Sequence, residues 1–320
     1  MANTYADTVI QDAQAFVLDP TNKKFELRPT KSRILEAFMT DRELTIPSLS
    51  AIKQADRQTT TALYHTRKDF TLNTTKSCSP SGETAGTANV DLTWQKLGFT
   101  IISETKKFQN NQVGETEAFA KNFMDAENSL FTGSTGVDSV LLAYLELNKT
   151  AINALSTTGQ GHNTWVGGGT DNVVVANADL NRFYNWLSPE MSLNGYDGDL
   201  MEIHNTMWTA DRLYYQNQST GNSTNTSFQF PGVSTYESKL IVPSGYNMSA
   251  HYIIPKGGVS FLDWNDPLNR FGKVSGQEQW TTVPSLLFPG LTYDVFIKEG
   301  CADTTANGGT KQDLVTNYEF

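Results

Sequence analysis

The segment ETEAFAKNFMDAENSLF, Glu115 to Phe131, decides how the rest of the chain is read. Phe119, Phe123, Ala126 and Leu130 recur at helical spacing, and Glu115 and Glu117 fall in the first turn, where the helix dipole favours anions. The spacing predicts a helix roughly 25 Å long at a rise of about 1.5 Å per residue. Gly133-Ser134-Thr135-Gly136 interrupts it. A second helix is expected beyond, with Val137, Val140, Leu141, Tyr144, Ala151, Ile152 and Leu155 on one stripe. Leu142 and Leu145 add a second apolar face, so the middle of this helix is expected to be buried on both sides. The pair forms the spine of the predicted fold.

Upstream of the spine, Tyr64 to Phe108 changes to strand-like patterning. Asp69 to Asn73 and Val90 to Trp94 alternate polar with apolar residues, and Phe99 to Ser103 continues the second arm. Between the arms, Ser79 to Gly86 has turn composition. A long antiparallel hairpin with a mobile tip is the simplest solution, and such a hairpin needs a neighbour to rest on. Met1 to about Thr60 reads as short helical pieces: Asp19-Pro20-Thr21-Asn22 is a turn, Ser32 caps a brief helix through Ile34, Leu35, Phe38 and Met39, and Pro47 breaks the next segment. This arm is too short in its parts to form a core and is expected to lie on something else.

Downstream, Ser156 to Thr170 is loop ending in Gly167-Gly168-Gly169, after which strand and helix alternate. Val173 to Val175 is read as a buried strand. Asn177 caps a helix carrying Leu180, Phe183, Trp186 and Leu187 that is expected to stop at Pro189. Leu200 to Ile203 is a second strand and Met207 to Tyr215 a second helix, the pattern of a mixed α/β layer. Gln216 to Ser227 is an exposed polar loop. Strands are expected at Lys239–Val242, His251–Ile254, Val259–Leu262, Gln279–Val283, Leu291–Lys298 and Asp313–Tyr318.

Only 18% of the 320 residues are charged, yet the mean hydropathy is −0.40, because Asn, Thr, Ser, Gln and Gly supply polarity without charge. Such surfaces suit coverage by neighbours, since burying a paired amide costs far less than burying a charge. The net charge of −10 argues against sequence-specific nucleic-acid binding and is compatible with a wall that encloses DNA without gripping it. Cys78 and Cys301 form neither a metal-ligand spacing nor a disulfide framework. The Asn-x-Ser/Thr matches at Asn73, Asn148, Asn217, Asn222, Asn225 and Asn247 are what an Asn-, Ser- and Thr-rich chain produces by chance. MANTYADTVIQDAQAF has no basic run followed by an apolar one, and Val140 to Leu145 is too short to span a bilayer, so no membrane partner is expected.

No catalytic, cofactor-binding or metal-ligating residue is assigned, and the chain is read as no enzyme. Ser50-Ala51-Ile52-Lys53 matches Ser-x-x-Lys without the partner motifs of serine acyl transfer. His65, His162, His204 and His251 show no ligand spacing. Asn194-Gly195-Tyr196-Asp197-Gly198-Asp199 lacks the EF-hand register and reads as a turn. Gly167-Gly168-Gly169 precedes a strand, whereas a phosphate cradle follows one. Trp165, Trp186, Trp208, Trp264 and Trp280 leave an alternative open, a secreted or surface carbohydrate-binding or adhesive protein with stacking platforms.

The order of arm, hairpin, spine, α/β layer and returning strands resembles the major capsid proteins of tailed bacteriophages, with the α+β Hong Kong 97-type shell fold. The closing segment resembles them most: Phe288-Pro289-Gly290-Leu291-Thr292-Tyr293-Asp294-Val295-Phe296-Ile297-Lys298, a loop with Cys301, then a last strand to Phe320. The resemblance implies an N-terminal arm over 1–63, an extended hairpin loop over 64–111, a peripheral domain over 112–165, an axial domain over 166–290 and C-terminal strands over 291–320. It implies hexamers and pentamers of an icosahedral head enclosing double-stranded DNA, found in the virion and, during assembly, in the host cytoplasm. The implied partners are other copies of the chain, a separate scaffolding protein, a portal, decoration proteins and DNA bound non-specifically. In some members a Lys–Asn isopeptide bond joins subunits; Lys76 lies in the hairpin here, with Asn269 or Asn317 as partners, and nothing picks a pair.

Overall fold

Helices α1 (Thr4–Leu18) and α2 (Arg33–Met39) precede a hairpin of β1 (Thr59–Thr66) and β2 (Gly86–Thr93). Then come β3 (Thr100–Glu104), α3 (Glu115–Thr132), α4 (Val137–Leu147), β4 (Trp165–Gly167), β5 (Val173–Val175) and α5 (Phe183–Leu193). The chain closes through β6 (Leu200–Asn205), α6 (Trp208–Ser219), β7 (Val233–Ser238), β8 (His251–Pro255), β9 (Glu278–Pro284), β10 (Thr292–Asp303) and β11 (Gln312–Glu319). This computed structural model describes residues 4–19, 32–40, 59–66, 74, 86–93, 95–104, 114–149, 165–167, 173–175, 183–219, 232–241, 251–263, 278–288, 290–303 and 312–319. One unit comprises 1–47, 97–261 and 273–320, and a second comprises 48–96 and 262–272.

In the larger unit, an antiparallel sheet in the order β3-β11-β10-β9 carries α1 and α3 on one face. Val9, Ile10 and Ala13 of α1 meet Phe119, Ala120, Phe123 and Met124 of α3 over Ile101, Val283, Val295 and Ile297 of the sheet. Phe99, Phe123 and Tyr293 pack mutually edge to face, with ring centroids 5.7 to 6.2 Å apart. A second core joins α2 and α4 to Phe131 and to a mixed sheet in the order β7-β6-β8, in which β6 runs parallel to β7 and antiparallel to β8. Phe183, Leu187 and Met191 of α5 form a third core with Leu200 and Trp208.

Local chemistry accounts for the element ends. Ser32 caps α2, its Oγ accepting the Leu35 amide at 3.3 Å. The expected break between α3 and α4 is present: a Cβ at Gly133 would press on the Ser129 carbonyl oxygen, and one at Gly136 on that of Leu130. Gly290 takes a φ of 95° in the turn between β9 and β10, which a glycine adopts freely.

Several expectations are corrected. The buried face of α3 is Phe119, Ala120, Phe123, Met124, Glu127 and Phe131, while Ala126 and Leu130 are half-buried, because Glu127 is turned inward onto donors from the β9–β10 turn. In α4, Val137 and Leu141 are buried as expected, but Val140 and Tyr144 are 38% and 50% exposed. Buried Asp138 and Leu145 complete the inward face, so α4 buries one side only; Ala151, Ile152 and Leu155 lie outside the described residues. The α5 helix runs through Pro189 to Leu193, since its first-turn Phe183 and its last-turn Met191 are anchored in the same core. The strand expected at Lys239–Val242 is instead Val233–Ser238, followed by a turn, and Val259–Leu262 forms no strand.

Phe99–Ser103 does not extend the hairpin either. Its strand β3 pairs with β11, Thr100 opposite Glu319, because Ile101 is buried against α1 and α3. In the second unit the hairpin pairs Thr59 with Thr93 and Thr66 with Gly86, earlier in the chain than expected; Asp69–Asn73 lies outside the described residues.

The rotated face of α3 has a measurable consequence. Phe123→Ala should cost about 3–5 kcal/mol in urea unfolding, and Leu130→Ala under about 2 kcal/mol. Equal losses would mean that α3 presents the stripe read from its spacing.

Candidate functional site

Four carboxylates are buried among the described residues: Glu127, Asp138, Glu190 and Glu202. A buried carboxylate is tolerated only where donors surround it, so the partners of each show what it does. Three of them join segments far apart in sequence.

Glu127 comes from α3 and is wholly inaccessible. Its Oε1 accepts from the Ser285 hydroxyl at 2.6 Å, the Leu286 amide at 3.0 Å, the Leu287 amide at 3.4 Å and the Tyr293 hydroxyl at 3.0 Å. Burial, and then the charge of Glu127, push the Tyr293 phenol well above its usual range, so it remains a donor. Asp138, in the first turn of α4, accepts from the Ser32 hydroxyl and, at 3.3 Å, from the Leu35 amide.

Glu202, on β6, is equally inaccessible. Its Oε1 accepts from His251 Nδ1 at 2.6 Å and from the Tyr184 hydroxyl at 3.2 Å, and that hydroxyl accepts from Trp208 Nε1 at 3.0 Å. His251 stands edge-on to Trp208 with centroids 4.9 Å apart, and lies 5.0 Å from the Phe183 ring. His204 sits opposite His251 in the register; its Nδ1 donates to the Asn205 carbonyl at 2.8 Å, and burial holds its pKa below the usual range. Burial first, then the charge of Glu202, raises the Tyr184 phenol. This constellation holds a His, a Glu and a Tyr in contact, but each is engaged with its neighbours and walled in by aromatic rings.

The residues weighed from the sequence fall apart in space or serve structure. His204 and His251 are brought together; His65 and Gly167 lie in strands whose side chains are not described, and His162 and Ser50 to Lys53 lie outside the described residues. Asn194 to Asp199 forms the turn after α5, with positive φ at Gly195 and Gly198. Among the described residues, no group of three or more His, Cys, Asp or Glu could hold a metal ion, and no helix is long and apolar enough to cross a membrane. Trp208 is buried and Trp186 half-buried; Trp165, Trp280, Asn317 and Cys301 lie in strands with undescribed side chains, and Trp264, Lys76, Asn269 and Cys78 fall outside.

The buried carboxylates escaped sequence reading because an isolated Glu or Asp on a helix looks like a solvated charge. The only signal was Glu127 falling between Phe123 and Phe131 on the inward side of α3. Glu127→Ala should leave the Ser285 and Tyr293 hydroxyls and the Leu286 amide without an acceptor, costing roughly 3 kcal/mol or more in urea unfolding. Glu127→Gln, which keeps an acceptor oxygen, should cost about half as much. Identical losses would show that the hydrogen bonds are not what Glu127 contributes.

No family model matches the chain, and no curated protein matches it. Among solved structures it is similar to a chain from Mycobacterium phage Bobi, at 14% identity and a TM-score of 0.42 over 91% of this chain and 83% of that one. It is also similar to a chain from the capsid of the empty GTA particle, at 11% identity and a TM-score of 0.42 over 96% of this chain and 91% of that one. A chain from Mycobacterium phage Adephagia is similar over 91% of this chain and 82% of its own, at 13% identity and a TM-score of 0.39.

Proposed function

We propose that the chain is the major capsid protein of a tailed bacteriophage, a building block with no enzymatic role. Copies of it meet in the hexamers and pentamers of an icosahedral head that encloses double-stranded DNA. The observation that carries this reading is the order of elements: two N-terminal helices docked onto the spine pair α3 and α4, a hairpin that belongs to the second unit, a mixed sheet with two helices, and strands that return to pair with β3. That order supports a shell fold of the Hong Kong 97 type.

Two further features support it. The polar groups that could pass for chemistry, Glu202 with His251 and Tyr184, are spent on holding elements together. The net charge of −10 suits an enclosing wall that DNA touches without specific recognition. The alternative of a carbohydrate-binding protein loses at least one of its platforms, because Trp208 is 2% exposed and its indole N–H donates to Tyr184. The proposed partners are further copies of the chain, a separate scaffolding protein, a portal and decoration proteins, in the virion and, before that, in the host cytoplasm.

Sedimentation velocity on the chain co-expressed with its scaffolding protein tests the proposal. Megadalton species are expected, with the segment from Ser79 to Gly86 cut by protease in dissociated subunits and protected in the particles. A species that remains monomeric at every salt and protein concentration, or that binds a glycan array specifically, would overturn it.

A further inference from the structure

The α2 helix has seven residues, too few to stand alone in water. Ile34, Leu35, Ala37 and Phe38 are nevertheless almost wholly buried against Val137, Leu141 and Leu145 of α4 and against Met201, Ile203 and Ile254 of the mixed sheet. At its C-terminal end the Phe261 amide donates to the Phe38 carbonyl at 3.1 Å. At its N-terminal end one oxygen of Asp138, a residue only 4% exposed, accepts both the Ser32 hydroxyl and the Leu35 amide. An ionisable group thus sits inside the seam between α2 and the body of the protein.

We propose that Asp138 is a pH-dependent latch, which holds α2 and the N-terminal segment onto α4 more tightly as the pH falls from 7.5 to 5. Both of its donors can serve a carboxylic acid as well as a carboxylate, so protonation keeps the contact while it removes the cost of a buried charge. Burial pushes the Asp138 carboxyl up to about 6, against the opposing pull of the Ser32 hydroxyl, the Leu35 amide and Lys239. The sign follows. A docked carboxyl that titrates above its undocked value of 3.8 contributes fully below that value, and the contribution fades as the pH rises through about 6.

The other charged groups on the elements around Asp138 have places of their own. Arg33 and Glu36 on α2 pair with each other at 2.9 Å on the surface. Lys239, just after β7, acts on Asp138 through space and is exposed, while Glu237 of β7 accepts from Thr209. Glu146 of α4 is held by Lys149 and Tyr252, and Glu127 of α3 by the β9–β10 turn. Glu202, His204 and His251 form their own cluster with Tyr184 of α5, and Lys256 and Asp263 lie on the segment that meets the other end of α2.

Hydrogen exchange of the full-length chain tests the latch, with peptides covering 32–40 read at pH 5 and 7.5 and corrected for intrinsic exchange. Protection in the wild type should be roughly tenfold higher at pH 5. Asp138→Asn, which resembles the protonated acid, should be equally protected at both. Ser32→Ala removes a donor that favours the ionised form, so it should lose more protection at pH 7.5 than at pH 5. It decides the matter if the Asn variant does not fold. Equal wild-type protection at the two pH values, an unchanged slope in Asp138→Asn, or a Ser32→Ala loss independent of pH would overturn the proposal.

Discussion

The structure of the larger unit depends on one carboxylate. Glu127 of α3 gathers four donors from a stretch of chain that lies 158 to 166 residues further on. Burying that charge is tolerable only when the Ser285 hydroxyl, two successive amides and the Tyr293 phenol arrive together. The turn between β9 and β10 therefore has one acceptable position on α3, and β10 sets the registers of β9 and β11. Because β11 pairs with β3, the constraint reaches the strand that leads back toward α3. Hydrophobic burial supplies the driving force around this point, and the carboxylate selects the arrangement.

The same device recurs where other distant segments meet. Asp138 joins α4 to a helix more than one hundred residues earlier, and Glu202 joins β6 to α5 and β8. Each lies within or beside an apolar cluster, so each carries a desolvation cost that only its native partners offset. A chain that interleaves its two ends around a central helix pair gains from such polar fixing, since apolar contacts alone accept many packings.

Much of this was legible in the sequence. The capped start of α2 at Ser32, the α3 helix with its acidic first turn, the glycine break before α4 and the alternation of strand and helix past Leu200 follow from local rules, and the structure has them all. What local rules do not carry is partnership over distance. Thr100–Glu104 alternates like an extension of the hairpin, but its partner β11 lies more than two hundred residues away, and a strand's pattern does not name its neighbour. The inward turn of Glu127 was hidden for the same reason, because its donors, two hydroxyls and two amides, lie more than 150 residues further along the chain. Pro189 marks a helix end by local rules, yet the packing of Met191 carries α5 past it. For the candidate site, the sequence offered His204 and His251 as isolated residues; that they face each other across β6 and β8 is a matter of register.

On the proposed reading the chain is a building block, and among the described residues Glu127, Asp138 and Glu202 serve to join its segments. Its low charge leaves surfaces that neighbours can cover without stripping many ions of water. That role is tested most directly by negative-stain electron microscopy of the chain purified after co-expression with its scaffolding protein. The account predicts closed particles, or rings of five and six subunits. A uniform field of single subunits, unchanged across salt and protein concentration, would contradict it.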